Sequence, residues 1–273
     1  MLKKLIKYEI LADWKKYGIV SAALFLISIM LFGFLKMPAF ADGFIINIYI
    51  STIISVIWFT LAAVALAMLF VFATIKFYKS FIRDEGYLMH TLPVPTWQLI
   101  ASNLIAVYIW FIFLAVILII CGGIAMGAPL WLFSIIKNRS ELMEFIANGV
   151  DAEAVPELIR MIIITAIMAI LAPAMYMTQI YLSFALGNLF SRNKLAMSVL
   201  MYFAVSFAEQ ILLSIALLPF ALKIAALGDD ISDQQTFRLS GDISLLSGVV
   251  SIFAAIGFFI AAERIFAKKL NLE

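Results

Sequence analysis

The stretch Leu99–Met126 reads LIASNLIAVYIWFIFLAVILIICGGIAM and contains no charged residue. At a helical rise of about 1.5 Å per residue, roughly 20 apolar residues cross the hydrocarbon core of a bilayer, which is about 30 Å thick. The stretch is longer than this minimum. It therefore predicts a membrane-spanning helix, tilted where its apolar length exceeds the bilayer.

Similar apolar runs lie on both sides of it along the chain. Hydrophobic residues make up 65% of the 273 positions and charged residues 13%, whereas soluble domains are roughly half apolar and a quarter charged. The predicted spans are Gly18–Leu35, Ile48–Ile75, Leu99–Met126, Met161–Leu186, Leu195–Leu222 and Leu245–Ala262. The sequence thus predicts an all-α membrane protein with six transmembrane helices, and residues 1–273 as a single transmembrane domain.

The basic residues predict the orientation, because Lys and Arg accumulate on the cytoplasmic side of a membrane. With a cytoplasmic N-terminus, 13 of the 19 basic residues fall inside: Lys3, Lys4, Lys7, Lys15, Lys16, Lys76, Lys79, Arg83, Arg192, Lys194, Arg264, Lys268 and Lys269. Acidic residues concentrate on the other side: Asp42, Glu141, Glu144, Asp151, Glu153, Glu157, Asp229, Asp230, Asp233 and Asp242. Both termini are therefore predicted to be cytoplasmic.

This orientation assigns the longer connections to opposite sides. The segment 76–98 is predicted to be cytoplasmic, and the segments 129–159 and 223–244 to be extracellular loops. The acidic character of the outer loops indicates a solvated surface. Electrostatic attraction of cations to that face is the alternative.

Residues 2–17 are predicted to form an amphipathic helix at the membrane interface. Leu2, Leu5, Ile6, Ile10, Trp14 and Tyr17 project onto one side of that helix, and lysines onto the other. Glu9 and Asp13, one helical turn apart, fall on the apolar side. Simple membrane anchoring does not use acids there, so docking of the helix against protein is a second interpretation.

The two predicted cytoplasmic segments between spans each carry a short motif. The first runs Asp84, Glu85, Gly86, Tyr87 and Leu88, followed by Thr91, Leu92, Pro93 and Val94 and then by Gln98 and Leu99. The second, between spans four and five, is Gly187, Asn188, Leu189 and Phe190, followed by Lys194. With six spans and an N-terminal amphipathic helix, the chain resembles the permease subunits of type 2 ABC exporters, particularly those of Gram-positive bacteria.

The resemblance implies short cytoplasmic coupling helices that contact a separate ATPase. Ser80–Leu88 is the candidate: Phe81, Tyr87 and Leu88 would be apolar anchors, Arg83, Asp84 and Glu85 would pair with the partner, and Gly86 lies between them. The second cytoplasmic contact would comprise Gly187, Asn188, Phe190 and Lys194. The alternative is a solvated loop with incidental charges.

The resemblance further implies partners and a location. Two copies of an ABC-type ATPase would bind ATP and Mg, and a second permease subunit, as a homodimer, would complete the assembly in the cell membrane. The chain itself contains no Gly-x-x-x-x-Gly-Lys-Ser/Thr element, so it is predicted to bind no nucleotide and to be no enzyme. Its one histidine, His90, and one cysteine, Cys121, predict no metal site. A net charge of +2 does not favour nucleic acid as a partner.

Glu209 is the acidic residue placed well inside an apolar span. A carboxylate in the membrane is expensive to bury and usually faces a bundle interior or a wet cavity. With Gln210 it is the candidate for a translocation cavity, whereas a protonated carboxyl that packs between helices is the alternative. Gln179 and Asn103 are predicted to form interhelical hydrogen bonds.

The function predicted from these features is that of the membrane-spanning permease subunit of an ATP-driven exporter. The resemblance implies amphipathic or hydrophobic cargo, with small peptides as the leading class, and the acidic outer face and Glu209 would tolerate cationic groups on such cargo. An ion-coupled secondary transporter is the second possibility. A non-transporting membrane scaffold or immunity protein is the third.

Overall fold

A computed structural model describes residues 2–35, 44–82, 94–125, 153–190, 193–227 and 232–268. Within these ranges the chain forms six α-helices and no strand. The helices are α1 (Leu2–Leu35), α2 (Phe44–Phe81), α3 (Thr96–Ala125), α4 (Val155–Gly187), α5 (Lys194–Leu227) and α6 (Asp233–Lys268). All six contain a stretch long and apolar enough to cross a membrane. The prediction of an all-α protein with six such helices is confirmed, and the chain is a multi-pass membrane protein.

The N-terminal segment differs from its prediction as a separate element. Residues 2–17 continue into the first span as one helix, α1, without a break at Gly18. The reason is local: a glycine inside a helix costs about 1 kcal/mol relative to alanine but does not end the helix. No proline lies between Leu2 and Leu35.

The predicted loop 223–244 is wrong in its boundaries, because α5 continues to Leu227 and α6 begins at Asp233. Ser232 caps the start of α6. The backbone N–H of Thr236 donates to the Ser232 carbonyl oxygen at 3.0 Å, and that of Gln235 donates to Ser232 Oγ at 3.4 Å. The cap and the acidic Asp233 in the first turn stabilise the N-terminus of a helix, so the polar sequence is helical.

Contacts between residues group the described chain into two units. Unit 1 comprises the described residues within Met1–Ala73 and Ile105–Met143, and unit 2 those within Thr74–Leu104 and Glu144–Glu273. Helices α2 and α3 therefore each contribute a segment to both units. The single transmembrane domain stays a prediction.

Unit 1 is organised around two buried tryptophans. Trp58 Nε1 on α2 donates a hydrogen bond to Ser28 Oγ on α1 at 3.2 Å, and Ser28 Oγ donates to the Leu24 carbonyl oxygen at 2.7 Å. Gly122 on α3 faces the same indole ring: a Cβ there would lie 3.1 Å from Trp58 Cη2. Trp110 packs on Tyr17, with ring centroids 4.8 Å apart.

Unit 2 is built around α4, which packs against α5 and α6. Gln179 and Gly187 of α4 lie beside Ser206 and Ser198 of α5, respectively, so these two helices are antiparallel. Helix α6 is parallel to α4. Its Gly241 lies beside Met161 and its Gly248 beside Met168, so the register of α6 on α4 is the same at two positions one heptad apart. Small residues in such positions let membrane helices approach closely.

Candidate functional site

A cavity of about 520 Å³ lies between α4, α5 and α6 of unit 2. This volume falls in the range typical of small-molecule sites. Its polar lining residues are Thr165, Tyr176 and Gln179 from α4, Tyr202, Ser206, Glu209 and Gln210 from α5, and Ser244, Ser247 and Ser251 from α6. Hydroxyl, amide and carboxyl groups thus line an open cavity between three apolar helices.

The cavity lies within the apolar part of these helices. Glu209 is 15 residues from Lys194, or about 22 Å along α5. It is the one charged residue between Lys194 and Lys223. Polar groups at this depth are usually placed towards a cavity, because lipid offers them no hydrogen bonds.

A hydrogen-bonded bridge lines the part of the cavity nearest the Gly187 end of α4. Gln179 Nε2 donates to Ser206 Oγ at 2.7 Å, and Ser206 Oγ donates to the Tyr202 carbonyl oxygen at 2.8 Å. Gln179 is buried. The bridge confirms the predicted interhelical role of Gln179, and it fixes α4 against α5 beside the cavity.

An ion-pair network lies at the opposite end of the same helices. Arg160 of α4 donates to Asp242 of α6 at 2.6 Å and to Glu157 of its own helix at 3.2 Å. All three groups are partly exposed, so each pair contributes little to stability. The Arg160–Asp242 pair instead fixes the position of α6 against α4, two residues before Ser244, the first serine that lines the cavity.

The space in the cavity exists because α6 carries small residues on its inner face. Gly248 lines the cavity together with three serines. A Cβ at Gly248 would overlap Met168 Sδ and lie 2.6 Å from Met168 Cε. Because these are the flexible end of a side chain, methionine can move aside, and it would move into the cavity.

We expect Gly248→Ala to lower the free energy of unfolding more than Gly257→Ala does, because the added Cβ displaces the Met168 side chain. Overpacking costs about 1–3 kcal/mol, but movement of the Met168 side chain relieves part of this. The matched control is Gly257→Ala on the same helix, where no atom lies within 4 Å of the added Cβ. Helical circular dichroism on heating measures stability. An equal loss of stability in both variants would contradict the close approach of α6 to α4.

The structure places the two predicted cavity residues together. Glu209 is half-buried and Gln210 is exposed, and both line the same cavity. No lysine or arginine is among the lining residues, and Glu209 forms no ion pair within the described part of the chain. The cavity therefore carries a single acidic group. That it is a translocation cavity stays a prediction.

Of the predicted coupling residues, Phe81 lies within the described chain, and Arg83, Asp84, Glu85, Gly86, Tyr87 and Leu88 lie outside it. Phe81 does not form part of an exposed connector helix. It is the last residue of α2 and is fully buried, where it stacks on Phe77 with centroids 4.4 Å apart. The anchoring role proposed for Phe81 is thus corrected: in this conformation its side chain packs inside unit 2.

Phe77 is the centre of an aromatic cluster in unit 2. Its ring stacks on Tyr181 of α4, with centroids 4.0 Å apart and planes at 16°. It also contacts Phe184 of α4 at 6.0 Å and Phe266 of α6 at 5.9 Å. The cluster therefore holds the end of α2 against α4 and α6.

A buried hydrogen bond connects the start of α3 to the same cluster. Tyr181 OH donates to Asn103 Oδ1 at 2.7 Å, and both side chains are fully buried. The predicted interhelical role of Asn103 is confirmed. Both ends of the connector between α2 and α3 are thus fixed to α4 through Tyr181.

The second predicted contact divides into buried and exposed residues. Gly187 and Asn188 are buried at the end of α4, and Asn188 Oδ1 has no hydrogen-bond partner among the described residues. Phe190 is 41% exposed, and the preceding Leu189 is exposed as well. Lys194, half-buried, begins α5. Phe190 is the residue of this set that offers an apolar side chain to a partner.

The acids of the N-terminal helix lie in unit 1. Asp13 is buried, and Lys16 Nζ approaches its carboxylate to 3.4 Å. Glu9 is half-buried. Asp13 therefore faces the protein, as the docking interpretation predicts, but the surface that it faces belongs to its own chain.

The seven-residue spacing of Gly241 and Gly248 was the sequence signal that the prediction missed. Together with Met161 and Met168, at the same spacing on α4, it identifies the two helix faces that meet. The serines between these glycines become cavity residues for that reason. Comparison of the chain with protein-family models, with curated proteins and with solved structures gives no match.

Proposed function

We propose that this chain is the membrane-spanning permease subunit of an ATP-driven exporter, with the cavity between α4, α5 and α6 on its substrate path. The observation that carries the proposal is a polar cavity with a single carboxyl group, placed within apolar helices. A packing role alone would favour a hydrogen-bonded carboxyl in a closed core. A substrate needs space, and here the space is present.

The ATP-driven part of the proposal is supported by the connector motifs. They resemble those of type 2 ABC exporters, and both ends of the connector are attached to α4 through the aromatic cluster and Tyr181. Helix α4 also carries seven of the cavity residues. A force applied at the connector would therefore act on a helix that lines the cavity.

In this proposal the connector side is cytoplasmic and two copies of the chain assemble with two ATPase subunits. The direct test is whether the adjacent reading frame encodes a Walker-type ATPase, and whether that ATPase copurifies with this chain when the two are co-expressed. Copurification, together with ATP hydrolysis that depends on this chain in proteoliposomes, is the expected result. Failure of any ATPase to copurify would count against the exporter.

Phe190→Ala is expected to weaken ATPase binding about 30-fold, because a buried aromatic anchor at an interface contributes about 2 kcal/mol or more. Binding is measured by titrating the purified ATPase against the chain in nanodiscs. Phe207→Ala is the control, since Phe207 is 69% exposed but lies within the apolar part of α5. Equal affinities for wild type and Phe190→Ala would remove Phe190 from the interface.

An ion-coupled secondary transporter is the second candidate, and the observation that favours it is again Glu209, an ionisable group in a membrane cavity. The two mechanisms differ in their energy source. Transport abolished by a protonophore but independent of any ATPase would select this candidate. A chain that transports nothing and recruits no ATPase would instead act as a scaffold.

A further inference from the structure

A second, smaller hollow adjoins the polar cavity within unit 2. It has a volume of about 260 Å³, and its lining is almost wholly apolar. It lies towards the Gly187 end of α4, between the end of α2, α4 and α5. Its lining includes Thr74, Ile180, Phe184, Val199, Tyr202 and Phe203. We call it the apolar pocket.

Tyr202 lines both the apolar pocket and the polar cavity. Val199, Tyr202, Ser206 and Glu209 follow one another at intervals of three or four residues along α5, so they share one face of the helix. Val199 and Glu209 are ten residues apart, or about 15 Å along the helix. The two hollows are thus neighbours along one helix face, apolar at one end and acidic at the other.

We propose that the two hollows together bind a single-headed cationic amphiphile, with its ammonium group at the Glu209 carboxylate and its apolar chain in the apolar pocket. This deepens the proposed function, since it takes the cavity as the substrate site. It does not depend on the energy source. Both lipid-like amines and lysine-containing amphipathic peptides present this chemistry.

The charge of the cavity selects a cation. Glu209 is the one charged group in the lining, and no described basic side chain pairs with it. An ionised carboxylate within a membrane needs an opposite charge or several donors nearby. A ligand ammonium supplies both, and its remaining N–H groups can donate to the hydroxyl and amide oxygens of Ser206 and Gln210. An anionic head group would be repelled.

The apolar pocket favours a ligand that carries an alkyl chain. Its lining offers Val199, Phe203, Phe184 and Ile180 but no charged residue, so a purely polar cation would leave it to be filled by lipid or water. Burial of a methylene group contributes about 0.8 kcal/mol. Affinity should therefore rise with chain length until the chain fills the pocket, and then stop rising.

The experiment uses the full chain in phosphatidylcholine nanodiscs and a dodecylamine that carries a photoreactive diazirine at the far end of its chain. After illumination, mass spectrometry locates the labelled residues. We expect labelling within 180–184 and 199–203, suppressed by excess dodecylamine but not by dodecyl sulfate or dodecanol. Labelling spread over the lipid-facing surface, or suppressed equally by all three competitors, would overturn the proposal.

Protein variants distinguish the contribution of the ligand's head group from that of its alkyl chain. Glu209→Gln should weaken the specific labelling about 10- to 100-fold, because hydrogen bonds to charged groups contribute about 1.5–3 kcal/mol, whereas Glu209→Asp should retain most of it. Val199→Trp should block the pocket and abolish the gain in affinity with chain length. Leu200→Trp is its control, because Leu200 is about as exposed as Val199 but lies outside the pocket. Unchanged labelling in Glu209→Gln would refute the cation site.

Competition identifies the source of the ligand. A single-chain lipid amine and a short amphipathic peptide with one lysine are each titrated against the photoprobe. The compound that competes more strongly indicates the class of the natural ligand. Failure of both compounds to compete would contradict the proposal. The assay contains no ATP. Labelling of a chain that recruits no ATPase in the copurification test would preserve this inference and remove the exporter, whereas ATP-driven transport with no labelling would do the reverse.

Discussion

Phe77→Ala is expected to lower the free energy of unfolding by about 3–5 kcal/mol, the range for removing a large aromatic side chain from a core. Phe77 is fully buried and contacts Tyr181, Phe81, Phe184 and Phe266. No smaller side chain can fill the space between these rings. When the protein is heated in micelles, the helical circular dichroism of Phe77→Ala should be lost at a lower temperature than that of the wild type.

Phe207→Ala provides the control, because it removes the same side chain from a site that is 69% exposed. A lipid-facing phenylalanine exchanges protein contacts for lipid contacts, so little stability should be lost. If the two variants unfold at the same temperature, the aromatic cluster is not a core. Phe77→Leu should recover part of the loss, since it restores most of the apolar volume.

The cluster has a further consequence for the coupling proposal. Phe77 and Phe81 lie at the end of α2, and Tyr181 connects α4 to Asn103 of α3. Loss of Phe77 should therefore loosen the attachment of the connector to α4. In the reconstituted complex we expect ATP hydrolysis to continue in Phe77→Ala while cargo transport falls, at a temperature where the variant is still folded.

Gly187→Ala is expected to destabilise the protein by about 1–3 kcal/mol or more, as overpacking of a rigid contact does. The added Cβ would overlap Ser198 Oγ and lie 2.6 Å from both Ser198 N and Cα. Backbone atoms cannot rotate aside, so α4 and α5 must separate. The same thermal measurement reports the effect.

The geometry of the turn makes Gly187 hard to replace. Asn193, just before α5, has a φ of 56°, a left-handed conformation that asparagine tolerates better than most residues. Its carbonyl oxygen accepts the backbone N–H of Met197 at 3.0 Å. Separating the helices at Gly187 would strain this short connection.

Gly18→Ala is the control for Gly187→Ala, because no atom lies within 4 Å of a Cβ at Gly18. Alanine there should be neutral or slightly stabilising, since it is the better helix former. The double variant Gly187→Ala with Ser198→Gly should recover only part of the stability lost in Gly187→Ala, because the contacts with the backbone of residue 198 remain. Full recovery would show that the hydroxyl alone causes the overlap.

Glu209 shows how far sequence reasoning reached at the candidate site. A carboxyl in an apolar run predicts a cavity or a partner because lipid cannot solvate it, and the structure places Glu209 on a cavity. Its neighbours there were not predictable in the same way. Ser244 precedes the predicted span Leu245–Ala262, and Ser247 and Ser251 lie inside it; no local pattern marks these serines until the register of α6 on α4 places them at the cavity.

Phe81 shows the opposite case. In the sequence it belongs to a polar connector, which made it a reasonable partner contact. The α2 helix extends as far as Phe81, and the rings of Phe77 and Phe266 cover it. Burial depends on which distant residues surround a position, and a local pattern contains no information about them.

The sequence by itself determined the class of protein and the number of its helices. The reason is that the length of an apolar stretch is a local property, and it can be compared directly with the thickness of a bilayer. It also determined that Glu209 is exceptional. Only the tertiary structure decided that Gly241 and Gly248 lie beside Met161 and Met168, and that Tyr202 lines both a polar cavity and an apolar pocket. It also decided which side of α5 faces them. These depend on the register between helices, which is set by packing over long separations in the chain.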